Sequence, residues 1–122
     1  MRNIFTSACT LLLLLVLIVF QVSSQNRKID SLKLLLPKLA DQQLGDILCE
    51  LGYEYLIIGN YPEASRYSDE LLSGGNLSGD SLQIVRGTAI KASILRRSGL
   101  TDSAMQLYNK VLPICENERL RE

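Results

Sequence analysis

The chain has 122 residues, 47% of them hydrophobic, with thirteen basic and thirteen acidic side chains and no histidine. That length holds one small domain at most, and a balanced charge provides no basic field to hold a phosphate backbone, which argues against nucleic acid as a partner. Lack of histidine removes the commonest general base and metal ligand.

In chain order, the first stretch stands apart. Arg2 supplies an early charge, Ala8 to Phe20 is a leucine-rich, weakly polar to apolar run, and Val22-Ser23-Ser24 closes it with small residues. This three-part layout predicts a signal peptide over residues 1–24, cut between Ser24 and Gln25. The strongly apolar part, Leu11 to Phe20, is about half of what a spanning helix needs. Reading Ile4 to Val22 as one segment gives the alternative of an uncleaved anchor. Cys9 precedes the apolar run, the wrong order for lipid attachment. Removing residues 1–24 leaves twelve basic and thirteen acidic side chains, a net charge near −1.

The remainder reads as helix throughout. Over residues 25–41, Ile29, Leu32, Leu36 and Leu39 fall at helical spacing, in a short helix that Pro37 kinks or ends. Asp41 is a candidate cap for a second helix with Leu44, Ile47, Leu48, Leu51, Tyr55 and Ile58 on one stripe, closed by Gly59. Pro62 opens a third, with Ala64, Tyr67, Leu71 and Leu72 on its apolar face. The glycines of Ser73 to Gly79 predict a loop, which would expose Asn76-Leu77-Ser78, a formal N-glycosylation site. Asp80 with Gln83 forms a capping-box-like start to a fourth helix carrying Leu82, Val85, Ala89, Ala92 and Leu95, closed by Gly99. Thr101 caps a fifth, with Ala104, Leu107, Tyr108, Val111 and Leu112, which Pro113 should end or bend. Cys49 and Cys115 both fall on apolar stripes and read as small buried hydrophobes. Asp46 with Glu50, and Arg66 with Glu70, read as solvated faces or weak surface ion pairs.

Gly59 and Ala64 recur forty residues later as Gly99 and Ala104, so one helix–turn–helix unit is used twice. The unit Leu51-Gly52-x-x-Tyr55-x-x-x-Gly59-x-Tyr61-x-x-Ala64 resembles the tetratricopeptide repeat. The second copy is weaker: Ala92 stands for the first glycine and Leu95 for the tyrosine, while Gly99, Ala104 and Tyr108 match directly. Neither helix A starts with tryptophan, and Ser68 and Leu71 replace the usual helix B aromatic and alanine. The spacing of forty exceeds the usual value of about thirty-four, with the glycine-rich stretch expected to absorb the excess. The resemblance implies an all-α fold of antiparallel helix-turn-helix repeats stacked as a short right-handed solenoid. Its units would be residues 42–76 and 77–117, with 118–122 leading into a further helix or tail.

That family binds partners and catalyses nothing, so the resemblance implies a protein–protein interaction module with no cofactor, metal or small-molecule substrate. Its groove-facing positions correspond here to Asp46, Cys49, Tyr53, Leu56 and Ile57, then Arg86, Ala89, Ser93, Arg96 and Arg97. Tyr53, Ser93 and Cys49 hold positions where some members place asparagines and lysine to clamp a peptide carboxylate, so that clamp is absent. Lys28-Ile29-Asp30-Ser31-Leu32 with Leu34-Leu35-Leu36-Pro37 looks like the segment after the signal in exported bacterial members, many of them sensor halves of histidine kinases or helix-turn-helix regulators. The expectation is therefore an exported, periplasmic sensory module, with a scaffold for an envelope complex as the alternative. A solenoid of two units is short of the usual three, so the expectation is either a short or truncated relative of a longer protein or a chain that pairs with another copy through its open C-terminal end.

Overall fold

The structure, a computed structural model, describes residues 1–119, and of Asp41 and Glu118 the backbone alone. It is all-α: α1 is Arg2–Leu35, followed by a 3-10 turn at Leu36–Lys38, then α2 Asp41–Ile57, α3 Tyr61–Ser78, α4 Ser81–Arg97 and α5 Thr101–Arg119. No strand occurs among the described residues. From α2 onward each helix packs on the next, and α4 also packs on α2.

The four later helices begin at residues 41, 61, 81 and 101, a spacing of twenty. Gly59, Gly79 and Gly99 follow the first three, with φ of 77°, 72° and 83°. Each turn closes the same way, by a backbone N–H reaching five residues back: Asn60 to Tyr55 (2.9 Å), Asp80 to Gly75 (3.0 Å) and Leu100 to Leu95 (2.9 Å). A side chain at these glycines would force an L-residue into the left-handed region. The forty-residue recurrence is thus two equal helix-plus-turn steps.

That regularity corrects the loop expected at Ser73 to Gly79: Ser73 to Ser78 form the last turns of α3, and Asn76 lies in a helix. The excess length lengthens a helix instead of a linker. The glycines serve close approach. A Cβ on Gly75 would lie 2.9 Å from Ile84 Cγ1 and 3.0 Å from the Asp80 carbonyl oxygen.

Caps differ in detail from expectation. Asp41 starts α2 and Ala40 holds its capping position without a side-chain bond. Asn60 caps α3 through the Glu63 N–H (3.3 Å), with Pro62 in the first turn. Asp80 caps α4, accepting from the N–H groups of Leu82 (2.9 Å) and Gln83 (3.2 Å). The Gln83 amide answers to the Asp80 carboxylate, not to its backbone. Pro113 lies inside α5 and does not end it. Glu118 and Arg119, expected to lead into a further helix or tail, continue α5, while Leu120 to Glu122 lie outside the described residues.

The core joins Ile29 and Leu32 of α1 with Leu48, Leu51, Tyr55 and Leu56 of α2, Ala64, Tyr67 and Leu71 of α3, and Ile90 of α4. Gly52 lets Ile90 in: a Cβ there would stand 2.7 Å from Ile90 Cδ1. A stacked column runs through three helices, with Lys33 over Tyr55, Tyr55 on Tyr67 at 5.6 Å between ring centroids, and Arg66 over Tyr67. Buried Ser68 donates to the Gly87 carbonyl (2.7 Å), tying α3 to α4 where the repeat resemblance would place an aromatic. Ala92, Ala104 and Val111 fill the α4–α5 seam. Ile58, expected on the apolar stripe, is exposed, and so is Cys115.

The helix expected within residues 25–41 is present over 25–35, continuous with the preceding segment as the end of α1, and the 3-10 turn containing Pro37 follows it. Arg2–Lys38 holds the one stretch among the described residues long and apolar enough to cross a membrane, with mean hydropathy 2.5 and none of it buried. Its C-terminal part is held by Ile29, Leu32 and an ion pair of Lys28 with Glu54 (2.5 Å) and Glu50 (2.9 Å). All three cysteines of the chain are free, Cys49 half-buried and Cys9 and Cys115 exposed.

Candidate partner-binding face

Two ties fix how α2 lies against α4. Near their N-terminal ends Asp46 pairs with Arg86, forty residues apart, and near their C-terminal ends Arg97 donates to the Leu56 carbonyl (3.0 Å), forty-one apart. Both separations equal the repeat step to within one residue, so α2 and α4 run parallel and in register. The residues between the ties, at spacings of three and four, then share one face.

On that face α2 contributes Asp46, Cys49, Tyr53 and Ile57, of which Tyr53 is 39% and Ile57 52% exposed. From α4 come Arg86, Ala89 and Ser93, and α5 adds Tyr108, whose hydroxyl lies 3.3 Å from Ser93 Oγ. Burial pushes the Tyr53 phenol and the Cys49 thiol up from their ordinary pKa values, and the Arg86 guanidinium opposes both shifts. The Tyr53 phenol also feels Tyr108, which brings α2, α4 and α5 to one surface. Arg96 is exposed at the far end of α4.

Leu56, expected to face the groove, does not reach it. At 3% exposure it belongs to the core, because its position turns it from the line of Asp46, Tyr53 and Ile57 toward α1 and α3. Its backbone carbonyl is what Arg97 uses. At the helix C-terminus this carbonyl also accepts from the Gly59 N–H (3.3 Å), so Arg97 supplies a second bond and complements the helix dipole. Arg86 stands partly neutralised by Asp46, and its pKa is raised chiefly by that hydrogen bond. Tyr108, expected as a repeat-defining structural residue, also borders the face, which its forty-residue match to Ser68 gave no reason to expect.

The face offers two tyrosines, an isoleucine, a serine hydroxyl and three guanidinium groups against one carboxylate. Asp46 and Glu50, one turn apart on α2, do not act as a pair, since Asp46 reaches Arg86 and Glu50 reaches Lys28. Among the described residues no cluster of acidic or cysteine side chains has the makings of a metal site. A second depression, about 210 Å³, lies between the start of α2 and the end of α3, lined in part by Gly45, Glu70, Gly74 and Gln83. Ser78 also lines it and donates its hydroxyl to the Gly74 carbonyl (2.9 Å). Compared with protein-family models, curated proteins and solved structures, the chain finds no match in any of the three.

Proposed function

We propose that the chain is a non-catalytic protein–protein interaction module of tetratricopeptide type, which takes a peptide or helix on the face shared by α2, α4 and the edge of α5. The observation that carries this reading is the parallel register of α2 and α4, held at both ends and leaving Tyr53, Ile57 and Arg96 open to solvent between and beyond the ties. Helix A faces line the groove in that family, and stacked repeats build extended concave binding surfaces. Aromatic and arginine side chains are also the residue types that most often anchor interfaces. The proposal includes export, with residues 1–24 as signal or anchor, and service as the sensory part of a signalling system.

Capture of partners from an envelope extract of the source cell tests this, with the detergent-solubilised full chain as bait and Tyr53→Ala and Arg96→Ala beside it. Both positions are exposed enough for the substitutions to leave the fold intact. At least one captured protein should fall away with either substitution. If every captured protein binds the variants as well as the original, the face is not the binding surface.

A further inference from the structure

On α3, the residues that receive α4 are Ser68, whose hydroxyl meets Gly87, Leu72, which stands 2.8 Å from where a Gly87 Cβ would be, and Gly75 against Ile84. Forty residues on, these become Tyr108, Leu112 and Cys115 of α5. Met105 precedes them on the same helix face, and Met105 and Leu112 are each 55% exposed. α5 thus turns outward most of the face that α3 uses to hold its neighbour, with Tyr108 half-buried at its edge, its hydroxyl 3.3 Å from Ser93 Oγ. It is bulkier, though, with tyrosine and cysteine where α3 has serine and glycine. A helix cannot nestle on it as α4 does on α3, and packing must be side chain to side chain.

The stripe Met105, Tyr108, Leu112, Cys115 is spaced three, four, three, so it reads the same in both directions about Lys110, which points to the opposite side of the helix. Asp102 and Arg119 bracket it, and both are exposed. An antiparallel pair of α5 helices sets Met105 against Cys115, Tyr108 against Leu112 and, to within one residue, Asp102 beside Arg119. Glu116 adds an acidic group one turn from Arg119 on its own helix. A parallel pair would instead oppose like charges at both ends. Head-to-tail stacking lacks a receiving edge, because the C-terminal part of α1 covers that side of the core with Ile29 and Leu32. We infer that a second copy of this chain covers α5, forming a two-fold symmetric dimer through antiparallel α5 helices.

Cysteine cross-linking of the full chain in detergent micelles tests it, in a Cys9→Ala, Cys49→Ala background. Mild oxidation should link the Met105→Cys variant into a dimer through Cys115, and adding Cys115→Ala should abolish the link. Within one chain the two thiols are ten residues of helix apart, about 15 Å, beyond disulfide reach. In sedimentation of the otherwise unaltered chain, Leu112→Glu should weaken dimerisation by at least about tenfold, while Ile57→Glu should leave it unchanged. Three results would overturn the inference. One is absence of the Met105→Cys link while both thiols remain titratable. Another is efficient linking through Cys115 in chains that keep Met105, which means a parallel pair. The third is association that Leu112→Glu does not affect, which leaves α1 as its source.

Discussion

Arg97 ties down a helix end, a role that its sequence position, on a face assigned to binding, did not announce. Its hydrogen bond to the Leu56 carbonyl joins two helices. Arg97→Ala should therefore destabilise the fold by about 1 kcal/mol, whereas Arg96→Ala, at an exposed position, should stay within about 0.5 kcal/mol. Urea unfolding of the two variants distinguishes a fold role from a purely surface one; equal stabilities would remove the fold role of Arg97. Gly52 was legible as a close-approach residue from its place in the repeat-like unit, but its neighbour was not. Sequence spacing indicates which face a residue takes, while the contact with Ile90 depends on how far α4 slides against α2. Gly52→Ala should cost about 1–3 kcal/mol by overpacking, since its Cβ would stand 2.7 Å from Ile90 Cδ1. Ile90→Val removes that carbon. Alone it should cost about 0.5–1.5 kcal/mol, and in the double variant the two costs should sum to less than their parts. Additive losses would place the strain elsewhere.

Among the elements, the stripes of α2 and α3 were readable because Leu48, Leu51, Tyr55, Ala64, Tyr67 and Leu71 are both periodic and buried. The end of α3 was not. Two adjacent glycines favour a turn by intrinsic propensity, and nothing local reveals that Ile84 and Gln83 will pack against them. The stripe of α4 was misplaced for a related reason. That helix touches α2, α3 and α5, so its most buried residues, Gly87, Thr88, Ile90 and Ala92, wrap around it instead of following one line. Gly75→Ala separates propensity from packing. In a free helix alanine gains about 1 kcal/mol over glycine, yet here the added methyl meets Ile84 and the Asp80 carbonyl, so the variant should melt lower. Asn76→Ala, one residue on and exposed, should be neutral or stabilising. If Gly75→Ala raises the melting temperature, the close α3–α4 contact is absent in solution.

At the scale of the molecule, α1 has two parts, and only one was visible in its composition. The apolar run to Phe20 announced itself, but the attachment of residues 28–36 to the repeat core depends on Glu54, a polar position on a stripe otherwise read as apolar. Glu54 is 7% exposed and meets Lys28 across twenty-six residues of sequence. The Lys28 ammonium has its pKa raised above the ordinary 10.5, first by the hydrogen bond to Glu54 and then by that to Glu50. A group raised in the folded state stabilises it fully below the unfolded pKa, and that contribution is lost as pH rises through the folded value. The hold of α1 on α2 should thus be complete at neutral pH and weaken only above about pH 10.5. Nearly half of the Lys28 side chain is in solvent, so the pair is worth about 0.5–1 kcal/mol. Lys28→Gln should lower the melting temperature at pH 8, and its gap to the original chain should shrink as pH rises above about 10.5. Lys28→Arg, which keeps its charge throughout, should hold its stability across that range relative to Lys28→Gln. A gap between the original chain and Lys28→Gln that is constant with pH would show that stem packing, not the ion pair, anchors α1 there.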